Sequence, residues 1–156
     1  MLSTVFGLSS PLLFLGVLTA FALSFFGIRF GQNSLPRDGG RKFAVNGELS
    51  RGKPRGAGLI FIGAFTIAGL LFVPFTAETL IYILLVVAGM LSGYLDDAAE
   101  KPWNEYKKGL IDLIIALAGA FTYVNFNGSA IAIPFTDIIV ELPRWLYIIL
   151  GVVLIW

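Results

Sequence analysis

Four uninterrupted apolar runs, at about residues 11–28, 56–75, 80–95 and 109–126, constrain this chain more than any other feature. The hydrocarbon core of a bilayer takes roughly 20 helical residues to cross, and each run spans it or nearly does. A soluble domain of 156 residues has too little interior to bury four such helices. Composition agrees: 13% of the residues are charged and 57% are hydrophobic, where an ordinary soluble domain is about 25% charged. The expected fold class is all-α, a polytopic membrane helical bundle of four transmembrane helices plus an incomplete fifth. That fifth run begins at Pro143 and Arg144 and continues as WLYIILGVVLIW. Its length as a helix is only about 18 Å, too short to cross. The chain is therefore read as a single transmembrane domain over 1–156, the N-terminal part of a larger protein.

Basic residues set the orientation. Arg29, Arg37, Arg41, Lys42, Arg51, Lys53 and Arg55 flank or fill the first loop, about 29–55, and Lys101, Lys107 and Lys108 fill the third, about 96–108. Only Arg144 falls on the opposite side, so ten of the eleven basic residues share one face. By the positive-inside rule that face is cytoplasmic and the N-terminus external. A cleaved signal peptide would need a basic n-region, and the first ten residues contain no lysine or arginine.

The same inventory narrows the chemistry. There is no cysteine and no histidine, so proton transfer within these residues falls to carboxylate, lysine or tyrosine. A net charge of +1 gives no ground for a nucleic-acid partner. The partner that composition does imply is the lipid bilayer.

Two loops meet on the cytoplasmic face. The first reads GQNSLPRDGGRKFAVNGELSRGKPRGAG. Its glycines let backbone N–H groups approach an anion and adopt positive φ, while its arginines and lysines supply charge and forked donors. Arg51, Lys53, Arg55, Gly56 and Gly58 stand where the loop runs into a helix N-terminus, the ingredients of a phosphate cradle. The alternative for this loop is a basic segment that only fixes orientation or holds anionic headgroups.

The second loop follows GYLDD, where Asp96 and Asp97 lie side by side after sixteen uncharged residues at 80–95. Adjacent carboxylates at a half-buried edge repel each other unless a cation compensates. They point about 100° apart on a helix, so one can face a metal while the other turns to a second partner. Oxygen ligands opposite a phosphate cradle select a hard cation, Mg2+, which binds through one or two carboxylates plus substrate phosphates.

FGQ at 30–32, RDG at 37–39, RGKPRGAG at 51–58, GYLDD at 93–97 and KKGL at 107–110 together resemble the phospho-N-acetylmuramoyl-pentapeptide transferase (MraY) family. That family lies within the polyprenyl-phosphate N-acetylhexosamine-1-phosphate transferase superfamily. The resemblance implies the first half of a ten-helix enzyme of the bacterial plasma membrane. Such enzymes move a phospho-sugar from a UDP-sugar to undecaprenyl phosphate, with Mg2+ required and UMP released. Carried onto this chain, Asp96 and Asp97 are the catalytic and metal-binding pair, and Arg51, Lys53, Arg55, Gly56, Gly58 and Lys108 bind substrate. The later aspartate motif and histidine-rich loop of the family lie beyond Trp156, so the isolated chain is expected to be inactive.

Departures bear on the sugar. The muramoyl-pentapeptide branch usually has threonines and a glycine pair where this chain has Lys53, Arg55 and Ala57–Gly58, and a lysine at the position of Ser50. KPRGAG is closer to the PRxGG of the branch that initiates teichoic-acid and enterobacterial-antigen synthesis, a resemblance that implies UDP-GlcNAc or another UDP-HexNAc as the alternative donor. The longer match, FGQ with RDG, tips the expectation to the muramoyl-pentapeptide donor.

The remaining polar residues read more plainly. Asp112 suits an interfacial residue offset by Lys108 better than a third catalytic acid. Trp103, Tyr106, Trp145 and Tyr147 fit an aromatic belt. The small residues of GAGLIFIGAFTIAG favour close helix packing within the enzyme, and also permit a homodimer. A small transporter is the competing class, but transport carboxylates lie near the bilayer midplane, whereas Asp96 and Asp97 lie at an edge. Single cysteines introduced at Asn46 and Asn127 should label from opposite sides with an impermeant reagent. Labelling of position 46 from outside intact cells would overturn the orientation.

Overall fold

The structure, a computed structural model, describes residues 10–39, 49, 51–99, 103–133 and 135–156. Arg41, Lys42, Asn46, Ser50 and Lys101 lie outside those residues. The chain groups into two compact units, Met1–Phe75 with Met90–Pro102, and Thr76–Gly89 with Trp103–Trp156. Apolar helices dominate the fold, as a membrane protein requires. Among the described residues, three helices are long and apolar enough to cross a bilayer.

In the first unit α1 (Ser10–Gly31) carries Arg29 in its last turn, where a cation suits the negative end of the helix dipole. A 3-10 turn, Gln32–Ser34, follows, and Pro36 stops the helix by removing a donor. Phe21 and Phe25 stack at 6.3 Å, as do Phe26 and Phe30, and an edge contact at 5.5 Å joins Phe25 to Phe26. Spacings of four put these rings one above the other on the helix. Phe21 and Phe30 remain exposed, as lipid-facing side chains are.

Helix α2 (Gly58–Phe72) runs antiparallel to α1. Gly16 of α1 lies against Phe72, and Gly27 and Gly31 lie against Ile60. Ala64 and Ala68, one turn apart, are buried, which is the small-residue packing expected of GAGLIFIGAFTIAG.

The second apolar run nevertheless gives a shorter helix than its length in sequence suggests. Gly56 adopts φ +73 ahead of it, and Val73 turns extended as the residue before a proline must. Fifteen residues remain helical, about 22 Å, so this run falls short of the full span expected for it.

Helix α3 (Ala77–Ala98) begins in the second unit and ends in the first. The Thr79 amide donates to Thr76 Oγ1 at 3.1 Å, an N-terminal cap. Glu78 in the first turn suits the positive end of the dipole. At about 33 Å the helix spans a hydrocarbon core.

The rest of the second unit is α4 (Glu105–Asn127) and α5 (Arg144–Ile155). Asn104 caps α4 by accepting from the Tyr106 amide at 3.0 Å, and Gly128 at φ +80 ends it. The two helices pack antiparallel: Gly151 meets Ala120, Tyr147 stacks on Tyr123 at 5.6 Å, and Trp156 Nε1 donates to the Gly109 carbonyl at 3.0 Å. Asn127 Nδ2 donates to Glu78 of α3. Between α4 and α5 lies a feature not expected from the sequence, a hairpin of β1 (Ala130–Ala132) and β2 (Ile139–Glu141) in antiparallel register, Ile131 opposite Val140.

A β-carbon at Gly27 would come within 2.6 Å of Ile60 Cγ2, a methyl on a stiff branched side chain, whereas at Gly63 it would meet nothing within 4 Å. Gly27→Leu should therefore cost about 1–3 kcal/mol through overpacking. Gly63→Leu should cost much less, with thermal unfolding in detergent as the measurement.

Candidate functional site

Asp96 and Asp97 fall in the last turn of α3, which contains no basic residue. This is the negative end of the helix dipole, where carboxylates are disfavoured by up to about 1 kcal/mol each. The local sequence therefore leaves an electrostatic debt that another segment has to settle. Arg55 Nη2 lies 2.8 Å from Asp97 Oδ1. The expected compensating cation is thus present, and it comes from the glycine-rich loop within the same compact unit.

The loop is held in place by its own backbone. The Asp38 amide donates to the Lys53 carbonyl at 2.9 Å, the Gly52 amide to the Asp38 carbonyl at 2.8 Å, and the Arg55 amide to the Pro36 carbonyl at 2.8 Å. These bonds surround an antiparallel bridge between Arg37 and Pro54. Arg37 strengthens it, donating from Nη1 to the Gly52 carbonyl at 3.1 Å and from Nη2 to Asn33 Oδ1 at 3.3 Å. RDG, quoted above only as a motif, thus contributes a guanidinium that ties the two arms of the loop together.

Glycine is needed at two of the loop positions. Gly52 and Gly56 have φ +80 and +73, the left-handed region that costs other residues about 1–2 kcal/mol. At Gly56 a β-carbon would also come within 2.9 Å of Tyr94 Cδ2. Gly58 differs: it is the first residue of α2, with a positive φ neither present nor required, and Phe61 3.8 Å away is the nearest atom to a β-carbon. Tyr94 and Asp97 lie three residues apart on one face of α3. Adjacent loop residues, Gly56 and Arg55, meet them in turn.

The ion pair is half-exposed, its side chains 36% and 29% accessible for Arg55 and Asp97. Solvent screening limits such a pair to about 1 kcal/mol or less, so it can open and reform. Asp96, next along the helix, is rotated by about 100° from Asp97. Arg51 and Lys53 are exposed on the loop.

Lys108 stands in the first turn of α4, in the other unit, where its amide donates to the Asn104 carbonyl at 3.2 Å. Nearby Lys107 sits 3.7 Å over the ring of Trp103, an anchor consistent with an aromatic belt. The second unit also contains a cavity of about 600 Å3 between α3, α4 and α5. Its lining includes Leu85, Ile115, Tyr123 and Leu154 and contains no carboxylate or cation, so it has no group for phosphate chemistry.

These features define a helical membrane protein with a carboxylate and cation site where a glycine-rich loop meets a helix end. Two curated relatives are similar to part of this chain. Both are phospho-N-acetylmuramoyl-pentapeptide-transferases of Treponema pallidum, one from the Nichols strain and the other from a second strain, of subspecies pallidum. Each is 43% identical over 93 residues, which cover 59% of this chain and 25% of the relative. The match supports, over these 93 residues, the family that the motifs resemble. The chain matches about a quarter of the length of these relatives. No family model matches it, and no solved structure does either.

Two positive-φ glycines with different surroundings offer a test of the loop. Gly52→Ala should cost about 1 kcal/mol from backbone strain alone. Gly56→Ala should cost clearly more, because the methyl also meets the Tyr94 ring. Thermal unfolding of the two variants measures the difference; equal losses would show that the Tyr94 contact does not fix the loop.

Proposed function

We propose that this chain provides the aspartate pair and the phosphate-facing loop of a phospho-N-acetylmuramoyl-pentapeptide transferase of the bacterial plasma membrane. In this reading the complete enzyme moves phospho-MurNAc-pentapeptide from its UDP carrier to undecaprenyl phosphate, and UMP leaves. The observation that carries the proposal is the 43% identity to transferases of that name, combined with the contact between the loop and the aspartate pair at 2.8 Å.

The donor chemistry suits magnesium. Two carboxylates offer oxygen ligands only, and no group of three or more His, Cys, Asp or Glu side chains that could hold a metal occurs among the described residues. A softer metal would want nitrogen or sulfur. Magnesium ordinarily takes one or two carboxylates and completes its shell with water and substrate phosphate. Bound at Asp96 and Asp97, it would stabilise charge on the transferring phosphoryl group.

The protein's own part is positioning and electrostatics, as phosphoryl transfer generally demands. Arg51 and Lys53, exposed on the loop, and Lys108 of the KKGL motif are the cations that would meet substrate phosphates. Gly56 and Gly58 let backbone amides approach them. Asp96 and Asp97 divide two tasks between them, holding the metal and activating the lipid phosphate.

The reading of UDP-GlcNAc as donor rests on PRGAG; the names of the relatives favour the muramoyl-pentapeptide. A transporter is disfavoured by the position of Asp96 and Asp97 at the very end of α3.

In the complete protein, Asp96→Asn and Asp97→Asn should each lower phosphotransfer by several orders of magnitude while leaving membrane insertion intact. Exchange of labelled UMP into the UDP-sugar measures the rate, and full exchange by both variants would remove the pair from the site. Chelation of divalent cations should abolish turnover and added Mg2+ restore it. UDP-MurNAc-pentapeptide and UDP-GlcNAc, compared in the same assay, decide the donor.

A further inference from the structure

Arg55 was read above, from sequence, either as a ligand for substrate phosphate or as an anchor for headgroups, and the structure suggests a third role. Its guanidinium is engaged by Asp97 at 2.8 Å, its amide donates to the Pro36 carbonyl at 2.8 Å, and its neighbour Gly56 lies against Tyr94, one turn before Asp97. Two contacts of Arg55 and one of its neighbour thus place this stretch between the rest of the loop and the end of α3.

We infer that Arg55 is a positioning residue for Asp97, and that the pair forms a latch docking the glycine-rich loop onto the last turn of α3. The inference deepens the transferase reading and rests on it only for its kinetic consequence.

The physical reasons are local. Two adjacent carboxylates at a helix C-terminus repel each other and the dipole. A guanidinium on one of them offsets both effects and fixes the direction in which that carboxylate points. A phosphate recruited by Arg55 would have to draw it away from Asp97, releasing the carboxylate that the chemistry needs held. Arg51 and Lys53, on the exposed arm of the same loop, can meet incoming phosphate while Arg55 stays on Asp97. The pair is half-exposed, so the latch opens and closes instead of locking.

The test uses trypsin cleavage of the Arg51–Gly52 bond in the full-length protein in lipid nanodiscs. With the latch closed, this exposed bond is held in the hydrogen-bonded bridge, its Gly52 amide donating to the Asp38 carbonyl, and cleavage needs the loop to open; Asp97→Asn and Arg55→Gln should speed it roughly threefold to fivefold, the range expected for losing a half-exposed ion pair. Arg55→Lys should retain protection. The exchanged pair, Arg55→Asp with Asp97→Arg, should return cleavage to within about twofold of the wild-type rate, which neither single exchange should do.

In the UMP-exchange assay Arg55→Gln should lower kcat with the KM for UDP-sugar and for lipid phosphate unchanged, and Arg55→Lys should recover part of kcat. Unchanged cleavage in Asp97→Asn and Arg55→Gln would overturn the latch, as would an exchanged pair that stays open. A rise in KM for either substrate, with cleavage unaltered, would make Arg55 a phosphate ligand instead. If the protein exchanges UMP into neither donor, the transferase reading fails, while the cleavage rates still decide the latch.

Discussion

A pair of carboxylates at the wrong end of a helix dipole is the constraint on which the first unit depends. Local preference places acidic residues at helix N-termini and basic ones at C-termini, and α1 with Arg29 and α3 with Glu78 obey it. The last turn of α3 does not. The violation is tolerated because Arg55 reaches Asp97, and Arg55 can do so because the backbone of the loop is stitched at Pro36, Asp38 and Lys53. The unfavourable charge at one helix end is thus offset by a loop that its own backbone hydrogen bonds hold in place. A broken local rule with a dedicated compensation elsewhere is the pattern that functional sites leave in a fold.

Much of this was legible in sequence because membrane helices advertise themselves. The apolar runs located α1, α3 and α4 to within a few residues, and the position of Asp96 and Asp97 at the edge of a run followed from counting. The need for a compensating cation was also legible. Its identity was not, since nothing in the string distinguishes Arg55 from the other basic residues of the loop; its 2.8 Å approach to Asp97 is a matter of tertiary placement. That a basic loop and the aspartate pair would face each other was readable in sequence, whereas the pairing of Arg55 with Asp97 was not.

The hairpin shows a different kind of miss. The segment AIAIPFTDIIVE contains two short β-branched runs around a turn-forming stretch, an adequate hairpin signal. Between two membrane helices it is easily read as a featureless connection. Phe135 at φ +66 is fully exposed at its turn, a conformation that few bulky residues adopt. Shortening of α2 was missed for a related reason: hydropathy measures how apolar a run is, while Gly56 and Pro74 decide how much of it is helical.

The brevity of α2 has a consequence for the lipid around it. A helix of about 22 Å falls about 8 Å short of an undeformed hydrocarbon core. Such mismatch is relieved when the bilayer thins beside the short helix, at a cost of fractions of a kcal/mol per ångström. Thinning there would draw phospholipid headgroups inward toward the end at which Gly58 receives the glycine-rich loop. Under the transferase reading proposed above, a lipid-borne phosphate and a water-borne one would then meet at a common depth without either being dragged through hydrocarbon.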